Sequence, residues 1–341
     1  MINLCTLFDS NYLDKGIALY NSLERYSKDF CLYVLCFDYK CFDILTDLKK
    51  KKLIPVKLED FETEELLNIK KTRGRAEYCW TCTAASIEYM IKTFNLDSCT
   101  YLDGDLYFYC GIERLFKEIE DSKCDIAIME HRYNRNQNGE VEPRNSGKYC
   151  VEFNYFKNNE NGMNALRWWK EECFKWCFSR FEPAGDYPID RYGDQKYLEQ
   201  FERMFDNVHV IQDMGAGVAP WNTKQYSVSS ETDQRLILHH SYSNTNVELC
   251  FYHFQNLKYI SKNVVNIKSQ TKDKVLKRAI YIPYLRELEA IRSELMNRYD
   301  LDFDVRKSYS TNKIIAFIQR NLMQFKLMSF SDLIFLNEVR N

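Results

Sequence analysis

Asp103 and Asp105, on either side of Gly104, are the residues whose type and spacing best suit them to chemistry. On an extended chain residues i and i+2 point to the same side, so the two carboxylates meet at one point. Side by side they repel, and either both are solvated or they share a cation. Hard oxygen ligands with open positions suit Mg²⁺ or Mn²⁺. Such an ion can bridge the two phosphates of a nucleoside diphosphate, offset their charge and stabilise them as a leaving group. The competing reading is a hairpin, because Asp-Gly favours a tight turn.

The surrounding elements must put that triplet somewhere useful. Tyr101-Leu102 before it and Leu106-Tyr107-Phe108 after it form one apolar strand pattern, which the triplet interrupts. Carboxylates at the C-terminal edge of a central strand lie where open α/β sheets bind ligands. Upstream, Asn3 to Phe8 reads as a buried first strand, Lys15 to Tyr26 as a helix, and Leu32 to Phe37 as a second strand. Strand, helix, strand at this spacing predicts a βαβ unit and a parallel sheet. A third strand is expected around Leu53 to Val56. Ala76 to Phe94 has one apolar stripe (Trp80, Ala84, Ile87, Ile91, Phe94) and predicts a helix.

Further strands are expected at Asp125 to Met129, Val208 to Ile211 and Leu249 to Phe254, and helices at Met163 to Phe181 and Gly193 to Phe205. Arg132 to Gly147 and Gly215 to Asn222 read as loops. After about Tyr259 strand signals stop and helical, basic segments take over. A soft boundary there divides the chain into a domain of residues 1–260 and a helical extension of residues 261–341.

The 341 residues, 45% of them hydrophobic, suffice for a large packed core. The 47 basic and 49 acidic residues nearly balance, so the chain lacks the basic excess of a nucleic-acid binder. No stretch approaches the length needed to span a bilayer. Met1 to Phe8 does not have the charged and apolar regions of a signal peptide. The 13 cysteines, many inside apolar runs, are therefore read as reduced thiols in a cytoplasmic protein. Cys79 and Cys82 form a C-x-x-C without a second pair at zinc spacing, which suits a helix carrying two incidental thiols.

Tyr-Leu-Asp-Gly-Asp-Leu (101–106) resembles the Y-L-D-x-D signature of nucleotide-sugar glycosyltransferases with the GT-A fold, especially those similar to family 8. Other features stand in that family's order. Thr6, Phe8, Asp9 and Tyr12 follow the first strand, where the resemblance implies contacts to the base and ribose. Lys71, Arg73 and Glu77 precede the helix leading to the triplet, where it implies basic and polar contacts to the donor. Val151-Glu152-Phe153-Asn154 resembles an F-N segment near the donor sugar, with Asn154 and Gly104 as donor contacts. Gly193-Asp194-Gln195 resembles a D-Q motif. His253-Phe254 resembles the H-F whose histidine is the third metal ligand beside Asp103 and Asp105.

The segments Arg167-Trp168-Trp169, Gly193 to Leu198 and Ala219 to Asn222 are similar to uncharacterised bacterial glycosyltransferases of this type. The resemblance covers roughly residues 1–260. Two departures stand out: Tyr155-Phe156 after the F-N, and Gln255-Asn256-Leu257 after the H-F where the family has Gly-Lys-Pro-Trp. They bear on sugar identity and phosphate contacts.

Each candidate also has a plainer reading. His253 could be an ordinary edge histidine, and His239 and His240 compete with it as ligands; a neutral imidazole is a good third ligand for Mn²⁺. Asp194 could be a helix N-cap. As catalytic residues, Gln195 would support positive charge near the anomeric carbon in a retaining reaction. Asp194 would deprotonate the acceptor hydroxyl in an inverting one. Arg132 suits a phosphate, and Trp221-Asn222 could wall an acceptor site. Ile314, Ile315, Phe317, Ile318, Leu322, Phe325 and Leu327 with Lys313, Arg320 and Lys326 form an amphipathic pattern. It suits packing on the catalytic domain or peripheral contact with an anionic membrane.

The expectation is a mixed, mainly parallel α/β sheet flanked by helices. It would carry a metal-dependent hexosyltransferase using Mn²⁺ or Mg²⁺ and a nucleotide sugar, with a UDP-hexose as donor. The acceptor would be a hydroxyl of a glycan or lipid-linked glycan in bacterial surface-polysaccharide synthesis. The alternatives are a nucleotidyltransferase, although no Gly-rich phosphate loop lies around Leu7 to Lys15, and a non-catalytic carbohydrate-binding protein.

Overall fold

Two strand segments near the N-terminus, Ile2–Phe8 (β1) and Phe30–Cys36 (β2), are buried on both sides along nearly their whole length. Continuous apolar runs of this kind belong to the interior of a parallel sheet covered on both faces. A computed structural model describes residues 1–136, 138–141, 144–232, 235–303 and 332–340. In it β1 pairs in parallel with β2, and β2 with Leu53–Lys57 (β3). On its other side β1 pairs in parallel with Ser98–Leu102 (β4). The sheet continues through Tyr149–Lys157 (β7), antiparallel to both neighbours, to Ile126–Glu130 (β6) and Val208–Val210 (β8). The strand order is β3-β2-β1-β4-β7-β6-β8, a mixed and mainly parallel sheet as expected.

Helices cover both faces. Arg75–Thr93 (α5) and Glu160–Lys175 (α7) pack on one face, against Cys5, Leu7, Tyr101 and Ile128. Leu13–Tyr26 (α1) and the long Lys274–Tyr299 (α9) pack on the other, with Leu4, Leu102 and Phe153. Tyr39–Leu48 (α2) packs on the α1 face, and Leu58–Phe61 (α3) and Glu64–Lys70 (α4) on the α5 face. Glu113–Ser122 (α6) follows β4, and Phe201–Met204 (α8) precedes β8.

The strand pattern around the acidic triplet resumes as Leu106–Phe108 (β5), but in a different partnership. The chain turns at the triplet, and β5 pairs antiparallel with Phe251–His253 (β12) in a separate two-stranded sheet. Tyr226–Thr232 (β9), Arg235–His240 (β10) and Thr245–Glu248 (β11) form a further antiparallel sheet.

Three expectations change. The helix expected to reach Phe181 ends at Lys175, where Arg73 donates to the free carbonyls of Phe174 (3.2 Å) and Lys175 (3.5 Å). The Gly193 to Phe205 segment is a 3₁₀ turn, Lys196–Gln200, running into α8. Strands also continue past Tyr259: Lys258–Ser261 (β13) and Val264–Asn266 (β14) pair, and Leu333–Phe335 (β15) joins them. These strands are short and one-sided, too brief to show a period of two.

The amphipathic pattern between Lys313 and Leu327 lies outside the described residues. The described part beyond residue 261 is closely attached to what precedes it. Asp14 pairs with Arg292 at 3.1 Å, and Tyr284 stacks on Phe254 at 3.7 Å. Among the described residues no helix is long and apolar enough to cross a membrane.

Candidate active site

The parallel pairing of β1 with β4 (Leu4 opposite Thr100, Cys5 opposite Tyr101) brings two strand ends to one edge of the sheet. The residues after β1 therefore stand against the acidic triplet. A Cβ added to Gly104 would lie 3.4 Å from the Phe8 ring, 3.7 Å from Thr6 Oγ1 and 3.7 Å from the Tyr12 ring. Thr6, Phe8 and Tyr12 thus form a wall along the backbone at Gly104. Thr6 Oγ1 is buried without a hydrogen-bond partner, a capacity left for a bound molecule.

The turn of chain at Asp103–Asp105 is anchored at both ends. The Asp103 amide donates to the Glu152 carbonyl at 3.2 Å, extending the β4–β7 ladder by one bond. The Phe254 amide donates to the Asp105 carbonyl at 3.0 Å. The pairing of β5 with β12 sets His253 opposite Leu106, and so beside the triplet. His253 Nε2 lies 3.1 Å from Asp105 Oδ1 and 3.6 Å from Asp103 Oδ2. One donor atom from each of Asp103, Asp105 and His253 falls within 4.8 Å of the others.

This donor set fits a hard divalent cation: two carboxylates, one imidazole, and space on the Asp103 side, whose carboxylate is still 29% exposed. His253 and Asp105 are buried. The charges already respond to one another. Burial raises Asp103 to about 6, with the Asp105 charge adding to the rise against the pull of His253. Burial also acts to raise Asp105, but His253 and Lys15 outweigh it and hold that carboxyl well below the usual range. Burial opposes a charge on His253, yet Asp105 lifts its pKa well above the usual value.

Asp194 joins the same group. It is buried, and burial together with the Asp103 charge raises its pKa to about 7. The Thr83 side chain on α5 acts against that rise. The indole N–H of fully buried Trp169 donates to its carbonyl at 2.7 Å. Gly193, with φ 53°, takes the left-handed conformation that lets the chain turn there. Asp194 is not the helix cap that its neighbours suggest; Gln195 precedes the 3₁₀ turn, without a capping hydrogen bond. Asn154 stands opposite Tyr101 in the ladder, one strand over from the triplet. Its amide donates to the Val151 carbonyl at 2.7 Å, while its Oδ1 has no partner.

The remaining candidates each have partners of their own. Asp9 caps the turn Ser10–Tyr12 and pairs with Arg75. Lys71 is exposed and donates to Asn68 at 2.8 Å. Arg73 lies over the Phe178 ring at 4.0 Å, and Glu77 accepts from Ser179 N at 2.9 Å. The contacts of Arg73 and Glu77 thus run to the end of α7 and the chain after it. His239 and His240 lie on β10 and bond to Asn246, Ser243 and Gln225. Arg132 donates to backbone carbonyls of Asp213 and Ala216, so it braces a loop. Trp221 and Asn222 are buried and donate to the His131 carbonyl.

Three contributors carry no motif of their own. Lys15 Nζ lies 3.9 Å from Asp105 Oδ2 and 4.0 Å from the centre of the Tyr12 ring. Its signal is weak: a basic residue three positions after Tyr12, one helical turn on. Arg75, next to Arg73 and Glu77, is the cation that reaches Asp9. Glu152 approaches His253 from behind, and only its i, i+2 spacing from Asn154 hints at a shared face.

No family model matches the chain. It is 32% identical over 267 residues to the uncharacterized protein YfnF of Bacillus subtilis (strain 168), covering 76% of this chain and 83% of YfnF. It is 27% identical over 297 residues to YfnD of the same organism, also uncharacterized, covering 86% of this chain and 91% of YfnD. Among solved structures, an active-site mutant of LgtC aligns with a TM-score of 0.48 at 12% identity, over 86% of this chain and 96% of that one.

Proposed function

We propose that this chain, which belongs to the family of the Bacillus subtilis protein YfnF, is a divalent-metal-dependent glycosyltransferase of the GT-A type, akin to family 8. It moves a hexose from a nucleoside-diphosphate donor, UDP-hexose for preference, to a hydroxyl of a growing glycan. The observation that carries this reading is the convergence of Asp103, Asp105 and His253 from two separate sheets.

Asp103, Asp105 and His253 would hold Mn²⁺ or Mg²⁺, which supplies charge neutralisation for the diphosphate as it leaves. Phe8 and Tyr12 give the base and ribose a partly apolar wall, and Thr6 and Asn154 offer buried oxygens without partners. Burial of the acidic cluster keeps water off the sugar and strengthens every charge inside it. Asp194 is the group best suited to the reacting face of the sugar. Its pKa near 7 lets it hold or release a proton at working pH. Residues 1–260 carry these groups, and residues 261–341 include the helix α9 that backs the strand pair β5–β12.

The test is a panel of nucleotide sugars incubated with the protein, with Mn²⁺ or with a chelator, reading donor hydrolysis and transfer. The expected result is turnover that needs the ion and is abolished in Asp105→Asn without loss of fold. Turnover of full rate by Asp105→Asn, or in chelator, would sink the assignment.

A further inference from the structure

Glu152 lies at the middle of β7 with no residual exposure, and it touches two members of the acid–imidazole cluster through different atoms. Its backbone carbonyl accepts the Asp103 amide at 3.2 Å. Its carboxylate Oε2 is 2.7 Å from His253 Nδ1. We propose that Glu152 is the positioning residue of this centre: it sets the His253 ring so that Nε2 faces Asp103 and Asp105, and it anchors Asp103 from the same point on the strand. The proposal rests on the metal-site reading above.

An imidazole has two distinct nitrogens and a ring that can turn about its bond to Cβ. To ligate a cation through Nε2 it must keep its proton on Nδ1. A carboxylate within 3 Å of Nδ1 accepts that proton, fixes the ring and raises the basicity of the ligating nitrogen. Cys150, two residues earlier on the same side of β7, is buried with its thiol sulfur within 4.8 Å of the Glu152 and His253 donor atoms. The Trp221 ring closes the other side, centred 5.2 Å from the imidazole.

A purely structural role does not explain this carboxylate. A buried charge is costly unless its oxygens are all satisfied. Oε1 of Glu152 is buried without a hydrogen-bond partner, so half of the group's capacity is unused. What the carboxylate adds is the bond to Nδ1.

Mn²⁺ binding to wild type, Glu152→Gln and Asp105→Asn, followed by the paramagnetic resonance of the unbound ion, tests the proposal. Wild type is expected to bind, and Asp105→Asn to lose binding. Glu152→Gln keeps the shape of the side chain, and its affinity is expected to fall about 10–100-fold. Its metal-free unfolding temperature should be retained, and raised Mn²⁺ should recover both occupancy and donor binding. If the amide strains the pocket, Glu152→Ser replaces it with the same expectation. Equal affinity in wild type and Glu152→Gln overturns the positioning role and leaves the metal site standing. Loss of binding that raised Mn²⁺ does not recover, with a lowered unfolding temperature, makes Glu152 structural and also overturns it. Absence of Mn²⁺ binding in wild type overturns both this proposal and the reading beneath it.

Discussion

The Tyr12 hydroxyl donates to Asp105 Oδ2 at 3.1 Å, joining residues 93 positions apart in the chain. Tyr12 sits where β1 runs into α1, and Asp105 where β4 turns into β5. The bond ties the proposed base-binding wall to the proposed metal site and holds one Asp105 oxygen while the other faces His253. A hydrogen bond to a charged group contributes about 1.5–3 kcal/mol. Tyr12→Phe is therefore expected to lower kcat/KM for the nucleotide sugar by about 10-fold or more, at about 1.4 kcal/mol per decade. Steady-state kinetics at saturating Mn²⁺ check this; an unchanged kcat/KM would leave the bond without a role in catalysis.

Asp194 separates binding from chemistry. Asp194→Asn keeps the volume of the side chain and removes its proton-transfer capacity. Donor turnover is expected to fall about 100-fold or more, the usual contribution of a positioned acid or base. Mn²⁺ affinity should persist, since Asp194 is not among the ligand atoms. The anomeric configuration of the product, read by NMR, assigns the partner role. Inversion points to Asp194 as base, and retention to Gln195 beside the anomeric carbon.

Arg292 on α9 pairs with Asp14 on α1, and both side chains are largely buried. The guanidinium also lies over the Tyr259 ring at 3.5 Å. Arg292→Met keeps most of the packing but strands the Asp14 carboxylate. Removing one partner of a buried pair costs about 3–5 kcal/mol. Urea unfolding should show a loss of that order, while Arg298→Met, at a largely exposed pair with Asp47, should change stability little.

Asp125 offers a pH-dependent contribution away from the site. Its carboxylate accepts from the side-chain amides of Asn159 (2.6 Å), Asn161 (3.2 Å) and Asn207 (3.1 Å). Burial alone would raise its pKa, but the three amides outweigh burial and lower it. Because the folded value is lowered, the stabilisation is complete above the unfolded value, near 4. It is lost as pH falls through the folded value. Asp125→Ala leaves the amides without their acceptor and should cost about 1–3 kcal/mol at neutral pH. The difference from wild type should shrink toward pH 3, as followed by denaturant unfolding across that range.

Much of this protein is written in short-range pattern. The apolar runs of Ile2–Phe8 and Phe30–Cys36 and the helical stripe of Arg75–Thr93 fix those elements, because burial of one face imposes a period on the side chains. The same local rule aligns Asp103 with Asp105. A resemblance of motifs then supplied His253 and Asp194 as their companions. Tertiary structure alone decided how far that company extends. The turn at the triplet sends β5 away from the main sheet to pair with β12, where Leu106 stands opposite His253, 147 residues later. That pairing sets an imidazole beside the carboxylates. Glu152 and Lys15 arrive from β7 and α1, carried by packing that has no period to read. Contacts between residues far apart in the chain depend on which faces bury together, and the identity of a single glutamate or lysine does not encode its eventual neighbour.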